Sequence, residues 1–298
     1  MKPLFAALGL AMTLVHAVAE AQSPAVTIDI KPGVWHALAA PQTGKGPAGP
    51  VKHLTPAYHP PSGRIYMTGG DYRGAIIDQQ SYRQETWSLS IAERMAARAD
   101  PNAGWRLEYP YCGPKDQVQP KHPDFVGWTW DSKRNVFWMV PGVMEIASEN
   151  CPGESGNRAS DPGFLHYRMM QFDPETRRWK DVSGKIGDAT ETWMSVYDPK
   201  TDTIIRFGMH RGSMSAGIYE IEGDRWSFAT FGRNGVGKEV WLRKEYLAAD
   251  LERRHIYAID GISGRLHRYD MDKRVLADLG PVPNGPNNQE NYLYVSWD

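Results

Sequence analysis

One strand pattern recurs along this chain and constrains its fold more than any other feature. Each copy has a short apolar strand, a turn that opens with Asp or His, and a second strand rich in aromatic and β-branched residues. The opening turn residues lie 48 to 72 residues apart and are His59, Asp131, Asp198, Asp250 and Asp298. An Asp at the start of a turn can accept hydrogen bonds from the turn backbone, so the pattern predicts repeated β-hairpins.

A second hairpin follows the first in four of these copies and usually carries a Trp. The residues at this Trp position are Trp105, Trp179 and Trp226, with Val275 and Leu276 in the fourth copy. Four strands per copy at this spacing are typical of the blades of a β-propeller. A single four-stranded sheet cannot bury both of its faces, so radial stacking of blades is expected, with Trp and Tyr filling the wedges between neighbours.

The Gly69-Gly70 pair after the second strand of the first copy, with the later Tyr or Phe and Trp of each copy, resembles the kelch repeat. Residues 26–298 are therefore similar to the kelch-repeat propellers of the galactose-oxidase central-domain superfamily. The other copies have Pro141-Gly142, Phe207-Gly208 and Asp260-Gly261 instead of the double Gly. The copper site of galactose oxidase, with its two Tyr, two His and cross-linked Cys, is not matched, and we expect no cofactor.

The repeat predicts one all-β domain over residues 22–298, with four complete blades and a split fifth blade. The four blades are predicted at residues 52–111, 124–183, 191–231 and 245–280. Residues 26–38 resemble the outer strands of a closing blade and residues 291–298 its inner strand, and their pairing would remove exposed sheet edges. Because the fifth copy stops at its first turn residue, we expect a C-terminally truncated propeller; the alternative is a five-bladed ring with a defective last blade.

The N-terminus has the features of a secretory signal peptide over residues 1–21. Lys2 precedes an apolar run from Leu4 to Val18, and Ala19 and Ala21 fit the small-residue cleavage pattern. We expect cleavage after Ala21 and a secreted or periplasmic protein. Cleavage after Ala19 and an uncleaved anchor helix are the alternatives.

Cysteine content and charge limit the partners further. In an oxidising compartment Cys112 and Cys151, which lie in Pro/Gly-rich stretches, are predicted to form a disulfide between two loops, with two unpaired thiols as the alternative. A formal net charge of −1 argues against nucleic acid as the main partner, because phosphate binding needs a concentrated basic surface. No second apolar segment is long enough to cross a bilayer, and a monomer is expected.

The propeller resemblance implies that ligands bind at one mouth of the central channel. That mouth is lined by the loops that enter the inner strands and the loops that join second and third strands. The repeat places ten candidate ligand-binding residues there: His53, Asp71, Tyr72, Arg73, His122, Glu191, His210, Arg211, Lys244 and Asp260. Their carboxylate, imidazole and guanidinium groups suit sugar or anion binding, and also acid–base chemistry. Loops are polar in any protein, so each residue is alternatively a solvated or turn-capping side chain.

Three functions fit the sequence. The first is a propeller that binds a carbohydrate or protein partner at the channel mouth. The second is a secreted propeller enzyme acting on glycans as an oxidase, lyase or isomerase, and the third is a structural module of a larger protein. Binding leads because the sequence shows no catalytic constellation and no metal-ligand spacing among its histidines.

Overall fold

The computed structural model describes residues 45–47, 56–68, 85–110, 127–140, 168–185, 189–210, 213–231, 242–260 and 263–282. The chain divides into two units, Met1–Trp35 and His36–Asp298, and all the described residues belong to the second. The predicted signal peptide, both segments of the predicted closing blade, Cys112 and Cys151 lie outside the described residues.

The described part of the chain contains four antiparallel four-stranded sheets, each a meander in chain order. They are arranged as four blades of a β-propeller, which confirms the predicted all-β fold and its four blades. Blade 1 consists of β1 (Ala57–His59), β2 (Arg64–Thr68), β3 (Thr86–Ser90) and β4 (Trp105–Tyr109). Blade 2 consists of β5 (Gly127–Asp131), β6 (Val136–Val140), β7 (Arg168–Asp173) and β8 (Arg178–Lys185). Blade 3 consists of β9 (Ala189–Asp198), β10 (Thr203–His210), β11 (Ser213–Glu220) and β12 (Arg225–Thr230), and blade 4 of β13 (Leu242–Asp250), β14 (His255–Asp260), β15 (Arg265–Asp270) and β16 (Val275–Pro281).

Helix is a minor component of the described residues. Besides a 3-10 turn at Pro60–Ser62, α1 (Ile91–Ala96) forms in the connection between β3 and β4 of blade 1. The buried guanidinium of Arg94 donates to the carbonyl oxygens of Ala97, Arg98 and Asp100, which fixes the chain that follows the helix. Within the described ranges no helix has the length and apolar character needed to span a membrane.

We call the contact region between two successive blades a seam. Three apolar clusters fill the three described seams. The first seam, between blades 1 and 2, contains Tyr66, Tyr109, Trp128, Phe137, Met139, Met170, Phe172 and Trp179. The second seam contains Trp138, Val140, Met169, Tyr197, Ile204 and Tyr219. The third seam is more aliphatic and contains Val196, Ile205, Phe207, Met214, Ala216, Ile218, Leu242, Leu247, Ile256, Ala258, Tyr269 and Met271. Each blade therefore buries a face against its neighbour, as stacked blades require.

Except for β3 and β4, which are joined by residues 91–104, the hairpins at one end of the blades share a six-residue turn. The fifth turn residue has a positive φ in each first hairpin: 63° at Gly63, 53° at Asn135, 54° at Asp202 and 59° at Arg254. The second hairpins repeat this at Arg177, Asp224 and Arg274. We call the end of the blades that carries these turns the turn face.

The opening turn residue organises the turn backbone. Oδ1 of Asp131 accepts hydrogen bonds from the backbone N–H groups of Lys133 and Arg134, at 2.9 and 3.1 Å. Asp173 and Asp270 bind their own turns in the same way. The Asp that the repeat places first is thus a structural residue of the turn.

Each described seam is also bridged by polar contacts on the turn face. Nε2 of His59 donates to Oδ1 of Asn135 at 2.8 Å, which joins the first turn residue of blade 1 to the fifth of blade 2. The same two positions join blades 3 and 4, where Arg254 donates two hydrogen bonds of 2.8 Å to Asp198. The corresponding contact therefore recurs at two of the three described seams.

At the seam between blades 2 and 3 both of these positions are acidic, so a cation bridges them. Arg134 donates to Asp131 at 2.8 Å and to both carboxylate oxygens of Asp202 at 2.7 Å. These hydrogen bonds hold the pKa of Asp202 well below its ordinary value. A bidentate ion pair of this kind constrains the orientation of the two side chains as well as the distance between them, so it fixes the relative position of the two blades.

We expect Arg134→Ala to lower the free energy of unfolding by about 2 kcal/mol, because it leaves Asp131 without a charged donor and removes the bidentate contact with Asp202, which keeps only Lys133. Lys273→Ala is the matched control. Lys273 has the same turn position and the same bond to its own Asp270, but it is exposed and its described hydrogen bond stays within its blade. The control should cost less than about 0.5 kcal/mol. Urea unfolding followed by Trp fluorescence measures both, and equal losses would contradict the bridging role.

Candidate functional site at the loop face

The connections at the opposite end of the blades, which we call the loop face, differ greatly in length. They are residues 69–85, 141–167, 211–212 and 261–264 between second and third strands, and 110–126, 186–188 and 231–241 between blades. The antiparallel order of the strands places the strand ends that they join at the end opposite the turn face. Connections longer than about 12–15 residues are uncommon and often functional, so blades 1 and 2 contribute the most material to this end.

The structure describes four of the ten predicted ligand-binding residues. His210 is the last residue of β10 and Asp260 the last of β14, and Glu191 and Lys244 lie on the inner strands β9 and β13, where the backbone is described. The others lie outside the described residues: His53, Asp71, Tyr72, Arg73, His122 and Arg211.

The inner strands of blades 3 and 4 are irregular where they approach the loop face. Between β9 and β10 the register shifts twice, between Phe207 and Gly208 and again between Met209, which pairs with Glu191, and His210. Between β13 and β14 it passes from Leu242↔Asp260 directly to Leu247↔Ala258, so residues 243–246, including Lys244, bulge out of the ladder. Bulges re-aim side chains and are enriched beside binding sites. One predicted ligand position, Lys244, thus lies within a bulge, and another, Glu191, lies next to one.

His210 belongs to a layer of stacked groups on blade 3. Its half-buried ring stacks on Phe228, with centroids 3.9 Å apart and planes at 5°. The buried guanidinium of Arg206 lies 5.3 Å from the centroid of the same ring, a favourable cation–π arrangement. Burial lowers the pKa of Arg206 to about 10, so the group stays charged at neutral pH. Sequence reasoning found His210 but missed Phe228 and Arg206, because strand register brings them together.

Gly217 makes room for this layer. It pairs with Arg206 on one side and with Phe228 on the other, so the three residues form one row across the sheet. A Cβ at position 217 would lie 2.9 Å from Nε of Arg206 and 2.9 Å from Cε1 of Phe228. The glycine is therefore required by the close approach of the buried Arg206 and the half-buried Phe228.

Asp260 stabilises the connection that follows it. Its buried carboxylate accepts a hydrogen bond of 2.5 Å from the Ser263 hydroxyl, and its carbonyl oxygen accepts one of 2.8 Å from the N–H of Gly264. This is the turn-capping role that the sequence left open beside ligand binding.

A buried histidine that the sequence did not single out lies near Asp260. His267 is 1% exposed, and neither of its ring nitrogens has a hydrogen-bond partner in the described structure. Burial lowers its pKa, whereas the charges of Asp278 and Asp260 raise it, and the net shift is downward. Asp278 is itself paired with Arg265 at 2.6 Å. The folded blade therefore holds His267 as a neutral imidazole beside two acidic side chains.

Metal binding finds no support among the residues described. They contain no group of three or more His, Cys, Asp or Glu side chains arranged to hold an ion.

No protein-family model and no curated protein matches the chain in sequence. Its backbone is similar to solved structures at low identity. One is TolB from Acinetobacter baumannii, with 14% identity, a TM-score of 0.44 and coverage of 78% of this chain and 44% of that chain. Another is a nidogen/laminin complex, with 10% identity, a TM-score of 0.46 and coverage of 82% of this chain and 68% of that chain. A structural genomics protein of unknown function from Bacteroides thetaiotaomicron has 12% identity, a TM-score of 0.45 and coverage of 82% and 53%. The chain thus spans less than half of the TolB chain.

We expect Gly217→Ala to lower the free energy of unfolding by about 1–3 kcal/mol, because the added methyl group overpacks the row between Arg206 and Phe228. Gly223→Ala is the control, since its Cβ would meet no heavy atom closer than 3.6 Å. Thermal unfolding followed by circular dichroism compares the two. If both variants melt at the wild-type temperature, the close packing at Gly217 is wrong.

His267 should make stability depend on pH. Because its folded pKa is lowered, the unfolded chain binds a proton below about pH 6.5 that the folded blade excludes, so stability falls as the pH drops through this range. His267→Leu removes the titrating group, and we expect a smaller loss between about pH 7.5 and pH 5.5 than in the wild type. Urea unfolding at both pH values measures this difference. Identical losses in the two proteins would show that His267 does not contribute.

Proposed function

We propose that this chain is a secreted or periplasmic, kelch-like β-propeller that binds a carbohydrate or protein partner at the loop face. The observation that carries the proposal is the segregation of the two ends of the blades. Tight turns and cross-blade contacts occupy the turn face, apart from the connection 91–104 of blade 1, whereas the strand ends that the longest connections join and the bulged inner strands lie at the loop face.

This segregation favours binding at the loop face for a physical reason. A binding surface needs a rigid scaffold and variable, chemically diverse loops, and loops on a fixed scaffold are where binding residues concentrate. The turn-face contacts hold the blades together without using the opposite ends of the strands. Insertions at the loop face therefore cost the scaffold little.

The residue types at the loop face support a polar ligand. The ten predicted residues supply carboxylate acceptors, guanidinium donors and imidazoles that do both, which match the hydroxyl groups of a saccharide or the polar surface of a protein. The bulges beside Glu191 and Lys244 support this assignment within the described strands. The Gly69-Gly70 pair supports the kelch-like type.

The experiment compares the double variant His210→Ala/Arg211→Ala with the wild type. Both proteins are tested on a glycan array, with titration calorimetry of any glycan that binds, and both are titrated with acidic and basic model proteins. We expect the double variant to lose at least about tenfold in affinity for whichever ligand binds, since a charged hydrogen-bond donor is removed. The matched control is Glu222→Ala/Arg225→Ala, a double change of exposed residues on the turn face.

Circular dichroism establishes that the compared proteins are folded. Binding that survives the loop-face change but is lost in the turn-face control would overturn the proposal. Release of a modified glycan from the wild-type protein would favour the enzyme alternative, because a pure binding module returns its ligand unchanged.

A further inference from the structure

A buried carboxylate at the seam between blades 1 and 2 holds two arginines from different blades. Glu108 lies on β4 with a side chain that is 0% exposed, and its Oε1 accepts hydrogen bonds from Nε of Arg106, at 2.7 Å, and from the Ser88 hydroxyl. Nε of Arg177, the fifth residue of the β7–β8 turn, lies 3.3 Å from Oε2 of Glu108. Two guanidinium groups thus meet on one carboxylate.

Arg106 and Arg177 both contact the buried Glu108 and extend from it to the protein surface. Their side chains are 41% exposed for Arg106 and 48% for Arg177. The described contacts of both to Glu108 run through Nε, so the terminal amino groups are not the atoms bound to the carboxylate. A guanidinium has five N–H donors in a planar fork that matches the oxygens of a carboxylate, phosphate or sulfate.

A third arginine increases the positive charge. Nε of Arg64 lies 4.0 Å from Glu108, and its guanidinium also donates to the carbonyl oxygen of Gly104 at 2.7 Å. Burial and the neighbouring charge of Arg106 lower the pKa of Arg64. Its second acidic contact, Glu93, has a largely exposed side chain. Three guanidinium groups therefore share one buried carboxylate and one solvated carboxylate.

The polar bridges at the two other described seams have equal numbers of basic and acidic groups. Arg134 binds two carboxylates, those of Asp131 and Asp202. Arg254 also binds two, those of Asp198 and Asp272. Lys133 also pairs with Asp202 and Lys200 with Asp272, so each of these two bridges has two cations and two carboxylates. The seam between blades 1 and 2 has base in excess, and an additional anion would balance it.

We propose that the seam between blades 1 and 2 is an oxyanion-binding site, in which Arg106 and Arg177 donate to a phosphate, sulfate or carboxylate group. Glu108 is the positioning residue, because it holds two like-charged groups side by side that would otherwise repel each other. Arg177 belongs to a turn of the turn face, and Arg106 and Glu108 lie on the outer strand β4, so the site uses none of the ten residues of the proposed ligand site and does not depend on it.

Titration calorimetry with inorganic phosphate at low ionic strength tests the site. We expect saturable binding to the wild-type protein that weakens as salt is added. Arg106→Gln and Arg177→Gln should each weaken it about tenfold, because each removes a charge-assisted donor. Arg106→Lys and Arg177→Lys should lie between, because they keep the charge and lose the fork.

Arg225→Gln is the matched control. It removes the same charge from an exposed arginine that is paired with Glu220 on blade 3, and phosphate binding should not change. A parallel titration with glucuronate separates a free tetrahedral anion from a carboxylate carried by a saccharide, and dependence of either on both arginines supports the site. Circular dichroism and thermal melting accompany each variant, with the Lys variants as the better-tolerated pair.

Two results would overturn the proposal. One is the absence of saturable binding of phosphate and glucuronate by the folded wild-type protein. The other is binding that the Arg106 and Arg177 changes leave intact, or that Arg225→Gln weakens equally. In either case the arginines would serve only to join blades 1 and 2.

Discussion

The structure depends on how one blade is held against the next. A four-stranded sheet has two faces and cannot bury both by itself, so the apolar seams supply the burial that makes the blades stable together. Burial alone is not directional, however. The contacts of Arg134 with Asp202 and of Arg254 with Asp198 add direction, because a bidentate ion pair tolerates little rotation or sliding.

Placing these contacts at one end of the blades has a consequence for the other end. Once the turns fix the blades relative to one another, the loop face is free of that role and can vary in length and shape. The longest connections join strand ends of blades 1 and 2 on this side, and the inner strands of blades 3 and 4 are bulged there. Because the turn face holds the blades together, the loop face is suited to ligand recognition.

The seams solve the same problem with different chemistry. At the seam between blades 3 and 4, Asp198 and Arg254 occupy the two contact positions. At the seam between blades 2 and 3 both positions are acidic, and Arg134 bridges them. At the seam between blades 1 and 2 a His–Asn hydrogen bond joins the same positions, and the charged groups lie further out, around Glu108. That displacement of charge is what leaves Arg106 and Arg177 exposed.

The sequence by itself determined the local features of this protein: the hairpins, their opening Asp residues, the Trp positions and the number of complete blades. These follow from patterns within a few residues, because strand alternation and turn chemistry are local. Arg134 and Lys273 show where such reasoning ends. Both occupy the fourth position of a turn and bind its first Asp, yet Arg134 also crosses to the next blade. The same limit applies to the row through Gly217 and to the arginines around Glu108. Their contacts join residues far apart in the chain, and only the stacking of blades and the register between strands brought them within reach of one another.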